Sequence, residues 1–255
     1  MGTGDCVLLN FETGVFAVSD SSDRAPGQSR EFLLQFDNMV SLSSRGANGS
    51  MFRATEVREI AEQIKLGCEK ILEAMRGSAS CTFTGIHILK TDSWMNALLF
   101  HTGDSCLYEY DPLKRTMTVL TVNNFWMIGK TVKLYQTTEL SVKPSSIFIL
   151  ATDGVGSGTS ESTQRNNIAE IVQCSEVEDI PDKMMHTDIS ARGLRDDAAV
   201  IALASRSLQP VKARIIMGGT TAQEEREYSD RCRSMFYMDS HVHVTETSAR
   251  VDHVF

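Results

Sequence analysis

Four short apolar runs in this chain each carry an aspartate at one end, and that placement restricts how the strands they predict can be arranged. Val15-Phe16-Ala17-Val18-Ser19 ends in Asp20, Leu98 to Gly103 ends in Asp104, and Ile147 to Thr152 ends in Asp153, whereas Asp196-Asp197 opens the run Ala198 to Leu203. Runs of this length, rich in β-branched and aromatic residues, read as buried strands. Three carboxylates at strand ends and one pair at a strand start gather on a single edge only if the strands alternate in direction. Like charges brought together there repel and raise one another's pKa until a cation neutralises them. The donors are all oxygen, which suits Mg²⁺ or Mn²⁺ better than Zn²⁺. Any one of these aspartates, taken alone, also fits a local role, holding backbone N–H groups where a strand runs into a turn.

The rest of the chain supplies layers around such an edge. Cys6 to Leu9 and Val15 to Val18, joined through Asn10-Phe11-Glu12-Thr13-Gly14, read as a hairpin. Val57, Ile60, Ala61, Ile64, Cys68, Ile71, Leu72 and Met75 fall on one face of a helix over Thr55 to Met75, and Arg30 to Val40 predicts a shorter helix before it. Strands follow at Ser80 to Leu89, Trp94 to His101, Cys106 to Tyr110 and Thr116 to Val122, with short turns that imply antiparallel neighbours. A less regular stretch leads to Ile147 to Ala151, a Gly-Ser loop, a helical region over Thr163 to Cys174, an acidic connection and a last strand, Ala198 to Ala204. Helices grouped between sets of strands predict an α+β sandwich. Residues 1–206 read as one domain, and residues 207–255 as a C-terminal extension.

Charge and composition exclude several functions. Twenty-five Lys and Arg against 33 Asp and Glu leave a net charge of −8, which repels phosphate backbones and anionic lipid, so neither nucleic acid nor a membrane is an expected partner. No apolar run reaches the ~18–20 residues that span a bilayer, and no basic segment precedes an apolar one near Met1, so a cytoplasmic location is expected. The six cysteines are scattered without a C-x-x-C pair, against both a disulfide framework and a zinc knuckle.

Four segments in order, Phe16-Ala17-Val18-Ser19-Asp20-Ser21, Thr102-Gly103-Asp104-Ser105-Cys106-Leu107-Tyr108, Ile147 to Val155 with its Thr152-Asp153-Gly154, and Arg195-Asp196-Asp197-Ala198-Ala199-Val200, resemble the motifs of the PPM-type metal-dependent serine/threonine protein phosphatases. The likeness is to the compact bacterial branch related to the sporulation stage II E phosphatase, and it spans roughly residues 1–206. It implies a four-layer α-β-β-α sandwich of two antiparallel sheets. It also implies two Mn²⁺ or Mg²⁺ ions, or three. Asp20 would bridge two ions, Ser21 would lend a backbone carbonyl to one, Asp153 and Asp196 would complete the other, Asp104 would lie beside a third, and Asp5 would stand behind these ligands. The implied reaction is in-line attack of a metal-activated water on phosphoserine or phosphothreonine, with Asp20, Asp153 and Asp196 as the catalytic set. The implied partner is a phosphorylated regulatory protein of the anti-sigma-factor-antagonist type. A module of the same fold that binds a phosphoprotein without hydrolysing it is the alternative.

The departures from the family pattern are local. Ser21 stands where the family has Gly, and the loop Ser21-Ser22-Asp23-Arg24-Ala25-Pro26-Gly27 lacks the His that serves larger members as an acid. Their phosphate-holding basic residue has no counterpart before Asp5, which makes Arg24 the candidate substitute. Gly129-Lys130-Thr131 lacks the earlier glycine of a phosphate-cradling loop, since position 124 is Asn124, and Val132 to Tyr135 after it reads as a strand. In the comparison this stretch falls in a flap, Asn123 to Lys133, whose Phe125 and Trp126 either pack beneath it or stand exposed as anchors for a partner. In the extension, Ile215 to Thr221 reads as strand, turn and helix start, with Thr221 and Glu224 spaced as a capping box. His241 and His243 would share one strand face as surface residues, and the extension is expected to be dispensable for the chemistry.

Overall fold

The structure is a computed structural model that describes residues 3–22, 24–43, 54–90, 95–155, 160–192, 197–205, 208, 212–224, 226–227 and 251–253. The strands are β1 (Thr3–Asn10), β2 (Val15–Ser19), β3 (Phe83–Lys90), β4 (Met95–Thr102), β5 (Cys106–Asp111), β6 (Thr116–Val119), β7 (Gln136–Val142), β8 (Ile147–Ala151), β9 (Val200–Ala204), β10 (Arg214–Thr220) and β11 (Val251–His253). The helices are α1 (Gly27–Ser43), α2 (Ala54–Ala74), α3 (Glu161–Gln173) and α4 (Ile180–Arg192). One antiparallel sheet has the order β11-β10-β1-β2-β3-β4-β7 and the other β6-β5-β8-β9.

The period of two along the strands builds the layers. In β1 and β2, Cys6, Leu8, Val15 and Ala17 face α1 and α2, where they meet Phe32, Leu33, Phe36, Ile64 and Leu72. Val7, Phe16 and Val18 point the other way, into a core shared with Leu107, Phe148, Leu150, Ile201 and Leu203 of the second sheet. The outer face of that sheet, with Tyr108, Tyr110 and Ile149, is covered by Ile168 and Val172 of α3 and Ile180 and Met184 of α4. Both faces of both sheets are therefore covered, which is the four-layer α-β-β-α sandwich expected. The first hairpin is closed by Asn10, whose Oδ1 accepts from the backbone N–H groups of Glu12 and Thr13 at 3.1 Å each, and by Gly14 at φ +72°. Ser160 caps α3, accepting at Oγ from the N–H of Thr163 at 3.2 Å, so that helix starts just before the predicted Thr163.

Three elements differ from expectation. The strand placed at Val132 to Tyr135 begins instead at Gln136, as β7 on the sheet edge, where alternate residues are exposed and little of the segment is apolar. The acidic connection contains α4, which buries little beyond Ile180 and Met184 and so carries a weak periodic signal. Residues 214–220, assigned to the extension, form β10 beside β1, with Leu8↔Ile216 and Asn10↔Arg214 in register and Ile215 and Ile216 each 1% exposed. The packed unit thus includes at least this part of the extension. Thr221 does form the capping box, its N–H and Oγ donating to Glu224 Oε2 at 2.8 and 2.9 Å. His241 and His243 lie outside the described residues. No helix among the described residues is long and apolar enough to cross a membrane.

Candidate functional site

Antiparallel pairing brings the start of β1, the end of β2, the start of β3 and the end of β4 to one edge of the larger sheet, through Cys6↔Ser19, Val18↔Thr84 and Phe83↔Thr102. In the smaller sheet, Cys106↔Ala151 and Ala151↔Val200 align the start of β5, the end of β8 and the start of β9. The two edges are tied to each other across the sandwich. Thr152 Oγ1 donates to Asp5 Oδ2 at 2.9 Å, and the Gly4 N–H donates to Asp197 Oδ2 at 2.9 Å. Within each edge, glycine is needed at one close approach of neighbouring backbones. A Cβ at Gly4 would lie 1.8 Å from the Ser21 carbonyl oxygen, and one at Gly154 would lie 1.8 Å from that of Asp197.

The electrostatics centre on Asp5, which is 4% exposed. Burial raises its carboxyl well above the ordinary carboxylate range; the charge of Asp20, a direct side-chain contact with Asp20 and the charge of Asp197 raise it further, against the hydrogen bond from Thr152. Among the described residues its Oδ1 has no hydrogen-bond partner. Two carboxylates in contact offer acceptors and no donor, so a proton or a cation belongs between them. Asp20 is held by its backbone: its N–H donates to Thr82 Oγ1 at 3.0 Å and its carbonyl accepts from the N–H of Thr82 at 2.8 Å. Thr82 Oγ1 also meets Ser105 Oγ at 2.8 Å, which links Asp20 to the segment bearing Asp104. Asp104 itself is partly buried, and desolvation raises its carboxyl.

The structure therefore brings Asp5, Asp20, Asp104 and Asp153 to the predicted edge, with the Asp153 side chain exposed and those of Asp20 and Asp104 half-buried. Asp196 lies outside the described residues; its neighbour Asp197 makes the contact across the sheets. Among the described residues no three His, Cys, Asp or Glu side chains enclose a metal as they stand. The donor set, all oxygen, and the orphaned buried oxygen of Asp5 against a second carboxyl nevertheless fit a hard divalent cation. Ser21, the departure from Gly, is buried, and its hydroxyl lies 3.0–3.2 Å from the carbonyl oxygens of Gly4, Ala25 and Pro26, closing the loop that Gly leaves open. Arg24 is exposed in that loop.

Sequence reasoning missed the hydroxyl residues Thr82, Ser105 and Thr152. Thr152 and Ser105 directly flank two of the predicted aspartates, the signal that was there to be used. The flap stands beside this edge: Gly103 N–H donates to Asn124 Oδ1 at 3.1 Å, and Thr102 Oγ1 donates to the Trp126 carbonyl at 2.9 Å. Phe125 is 97% and Trp126 48% exposed, the latter edge-to-face with Tyr135 at 5.6 Å. A groove of about 540 Å³ between β6 and α3, lined by Arg115, Arg165 and Glu170 among others, lies by Thr116, which pairs with Asp111 at the end of β5 remote from the carboxylates.

No protein-family model matches the chain, and no curated protein matches it. Solved structures do. The serine/threonine phosphatase PstP/Ppp of Mycobacterium tuberculosis is 15% identical, with 79% of this chain and 91% of that one covered at a TM-score of 0.57; its catalytic domain is also known in complex with two manganese ions. The PPM Ser-Thr phosphatase MsPP of Mycobacterium smegmatis is 14% identical over 80% of this chain and 92% of that one, at a TM-score of 0.55. RsbX in complex with magnesium is 16% identical over 79% and 87%, at a TM-score of 0.52. At these identities the likeness is one of fold, and the chain has the fold of the PPM-type serine/threonine phosphatases.

Proposed function

We propose that this chain is a Mn²⁺- or Mg²⁺-dependent phosphatase that hydrolyses phosphoserine or phosphothreonine in a bacterial signalling circuit, within the cytoplasm and in the compact branch of the family. The observation that carries the reading is the contact of the Asp5 and Asp20 carboxyls, with Asp197 reaching the same place from the opposite sheet, at an edge where the fold gathers its aspartates. Asp20, Asp153 and Asp196, with the Ser21 carbonyl, would hold the ions; Asp104 stands beside them and Asp5 orients the set from behind. When bound, such ions supply an acidified water and neutralise charge on the phosphoryl oxygens. The protein's part is to fix the carboxylates through Thr82, Thr152 and the backbone of Gly4, to offer Arg24 to the phosphoryl group, and to present the Phe125 and Trp126 flap to a phosphorylated regulatory protein, of the anti-sigma-factor-antagonist type.

The test is calorimetric titration with Mn²⁺ alongside hydrolysis of p-nitrophenyl phosphate, on wild type and Asp153→Asn. Uptake with hydrolysis, both lost in Asp153→Asn, is expected. Uptake without hydrolysis would favour the phosphoprotein-binding module, for which the loop without a His acid speaks; no uptake at millimolar Mn²⁺ would end the metal assignment.

A further inference from the structure

β1 and β10 do not pair evenly where they reach the carboxylate edge. Thr3 is opposite Thr220 and Cys6 is opposite Gly218, so Gly4 and Asp5 of β1 face the single residue Gly219 of β10. This is a β-bulge, which turns side chains away from the direction that regular pairing would give them. Both glycines of β10 have left-handed backbones, Gly218 at φ +80° and Gly219 at φ +62°, a conformation that glycine adopts without steric cost. There is also no room for anything larger. A Cβ at Gly218 would stand 2.0 Å from the Asp5 carbonyl oxygen, and one at Gly219 would stand 2.6 Å from Arg30 Cβ and 3.0 Å from Ser29 Oγ.

Ser29 and Arg30, adjacent in the first turn of α1, grip the two sides of this bulge. Ser29 Oγ donates to the Gly4 carbonyl at 2.7 Å, on β1, and Arg30 Nη1 donates to the Gly218 carbonyl at 2.9 Å, on β10. Both side chains are buried, Ser29 at 0% and Arg30 at 8% exposed. The residue between the gripped carbonyls is Asp5, whose carboxyl meets Thr152 and Asp20 and feels the charge of Asp197. We propose that Ser29 and Arg30 are positioning residues for the metal centre: by clamping the β1–β10 bulge from α1 they set where Asp5 points, which makes a strand beyond the recognised motifs part of the site. The proposal rests on the phosphatase reading of that site.

The experiment compares two arginine contacts of β10, that of Arg30 at the carboxylate end and that of Arg214 at the other, where the Arg214 Nε lies 2.6 Å from Asp37 Oδ2. Mn²⁺ affinity by calorimetry and the thermal unfolding midpoint are measured on the full chain carrying Arg30→Met, Arg30→Lys or Arg214→Met. Both Met variants should unfold earlier, but only Arg30→Met should weaken Mn²⁺ binding, by about tenfold, the scale expected when a group supporting a metal ligand is lost; Arg30→Lys, which keeps a donor, should recover part of it. Unchanged Mn²⁺ affinity in folded Arg30→Met, or an equal loss in Arg214→Met, overturns the proposal. If Arg30→Met does not fold, Ser29→Ala decides: a weaker Mn²⁺ affinity is expected, and an unchanged one overturns it. Wild type that takes up no Mn²⁺ removes the phosphatase reading and this proposal together, whereas uptake by wild type with no effect of either clamp residue removes this proposal alone.

Discussion

Asp5 and Asp20 are held in contact at a cost in the metal-free protein, because burial and like charge both act against ionising Asp5. Asp5→Asn keeps the shape and removes the repulsion, so the metal-free variant should unfold at a higher temperature than wild type while binding Mn²⁺ more weakly; a lower midpoint would show that the contact is not strained. A second residue-scale prediction concerns His87, fully buried on β3, where burial depresses its pKa to about 4 against the bond with the Gly14 backbone. A depressed folded pKa means that the unfolded chain takes up a proton first, so stability is whole above the ordinary histidine value of about 6.5 and is lost as pH falls from there towards 4. That shift corresponds to roughly 3 kcal/mol. His101 is lowered in the same direction, also by burial. Denaturant unfolding of a folded His87→Gln variant should show a flatter dependence on pH over this window; an unchanged slope would place the acid sensitivity elsewhere. The aspartates at this scale were legible because each interrupts or opens an apolar run. That Asp197 would bond across the sandwich to the Gly4 N–H was not, because nothing in a local pattern tells which distant backbone group a carboxylate will meet. The supporting hydroxyls of Thr82, Ser105 and Thr152 were hidden by how commonly Thr and Ser occur in strands and turns.

Elements were legible where burial is one-sided or complete. α2 shows its face through Val57, Ile60, Ile64, Cys68 and Leu72, and β2 is buried at every residue, so both stand out from their surroundings. β7 and α4 bury too little to do so. β10 was cut short for a different reason: Gly218-Gly219 looks like a turn in sequence, yet these glycines lie opposite a bulge of β1, in a strand that continues to Thr220. The pairing of β10 with β1 speaks against the expectation that the extension is dispensable. Truncation after Ser207 removes the strand paired with β1 together with its buried Ile215 and Ile216, the latter part of the core beneath α1 and α2. Fully burying one such side chain is worth about 1.5–3 kcal/mol, and a domain holds only about 5–15 kcal/mol in all. The truncated chain should therefore be insoluble or show a much lower unfolding midpoint and no Mn²⁺ uptake; retained folding and hydrolysis would show that β10 merely decorates the sheet.

At the scale of the whole molecule, 14–16% identity to solved phosphatases coexists with coverage of about four-fifths of the chain, because the layers depend on a pattern of buried positions and not on particular residues. Function depends on the sites that such a scaffold carries. The two proposed sites, the carboxylate edge and the flap, adjoin, joined through the bonds of Gly103 and Thr102 to Asn124 and Trp126. A chain of net charge −8 would repel the proposed anionic phosphoprotein partner at long range, so short-range contacts would have to retain it. Phe125 and Trp126, both exposed, offer the apolar area that such an anchor would need. An aromatic anchor at the centre of a contact is worth about 2 kcal/mol or more when truncated, so Trp126→Ala should lower kcat/KM on a phosphoprotein substrate such as phosphocasein by about tenfold or more. The same variant should leave kcat/KM on p-nitrophenyl phosphate close to wild type, since a small ester has nothing to place against the flap. Equal losses on both substrates would assign Trp126 to the fold, through its carbonyl bond to Thr102 and its ring contact with Tyr135, and no loss on either would move the partner surface away from the flap.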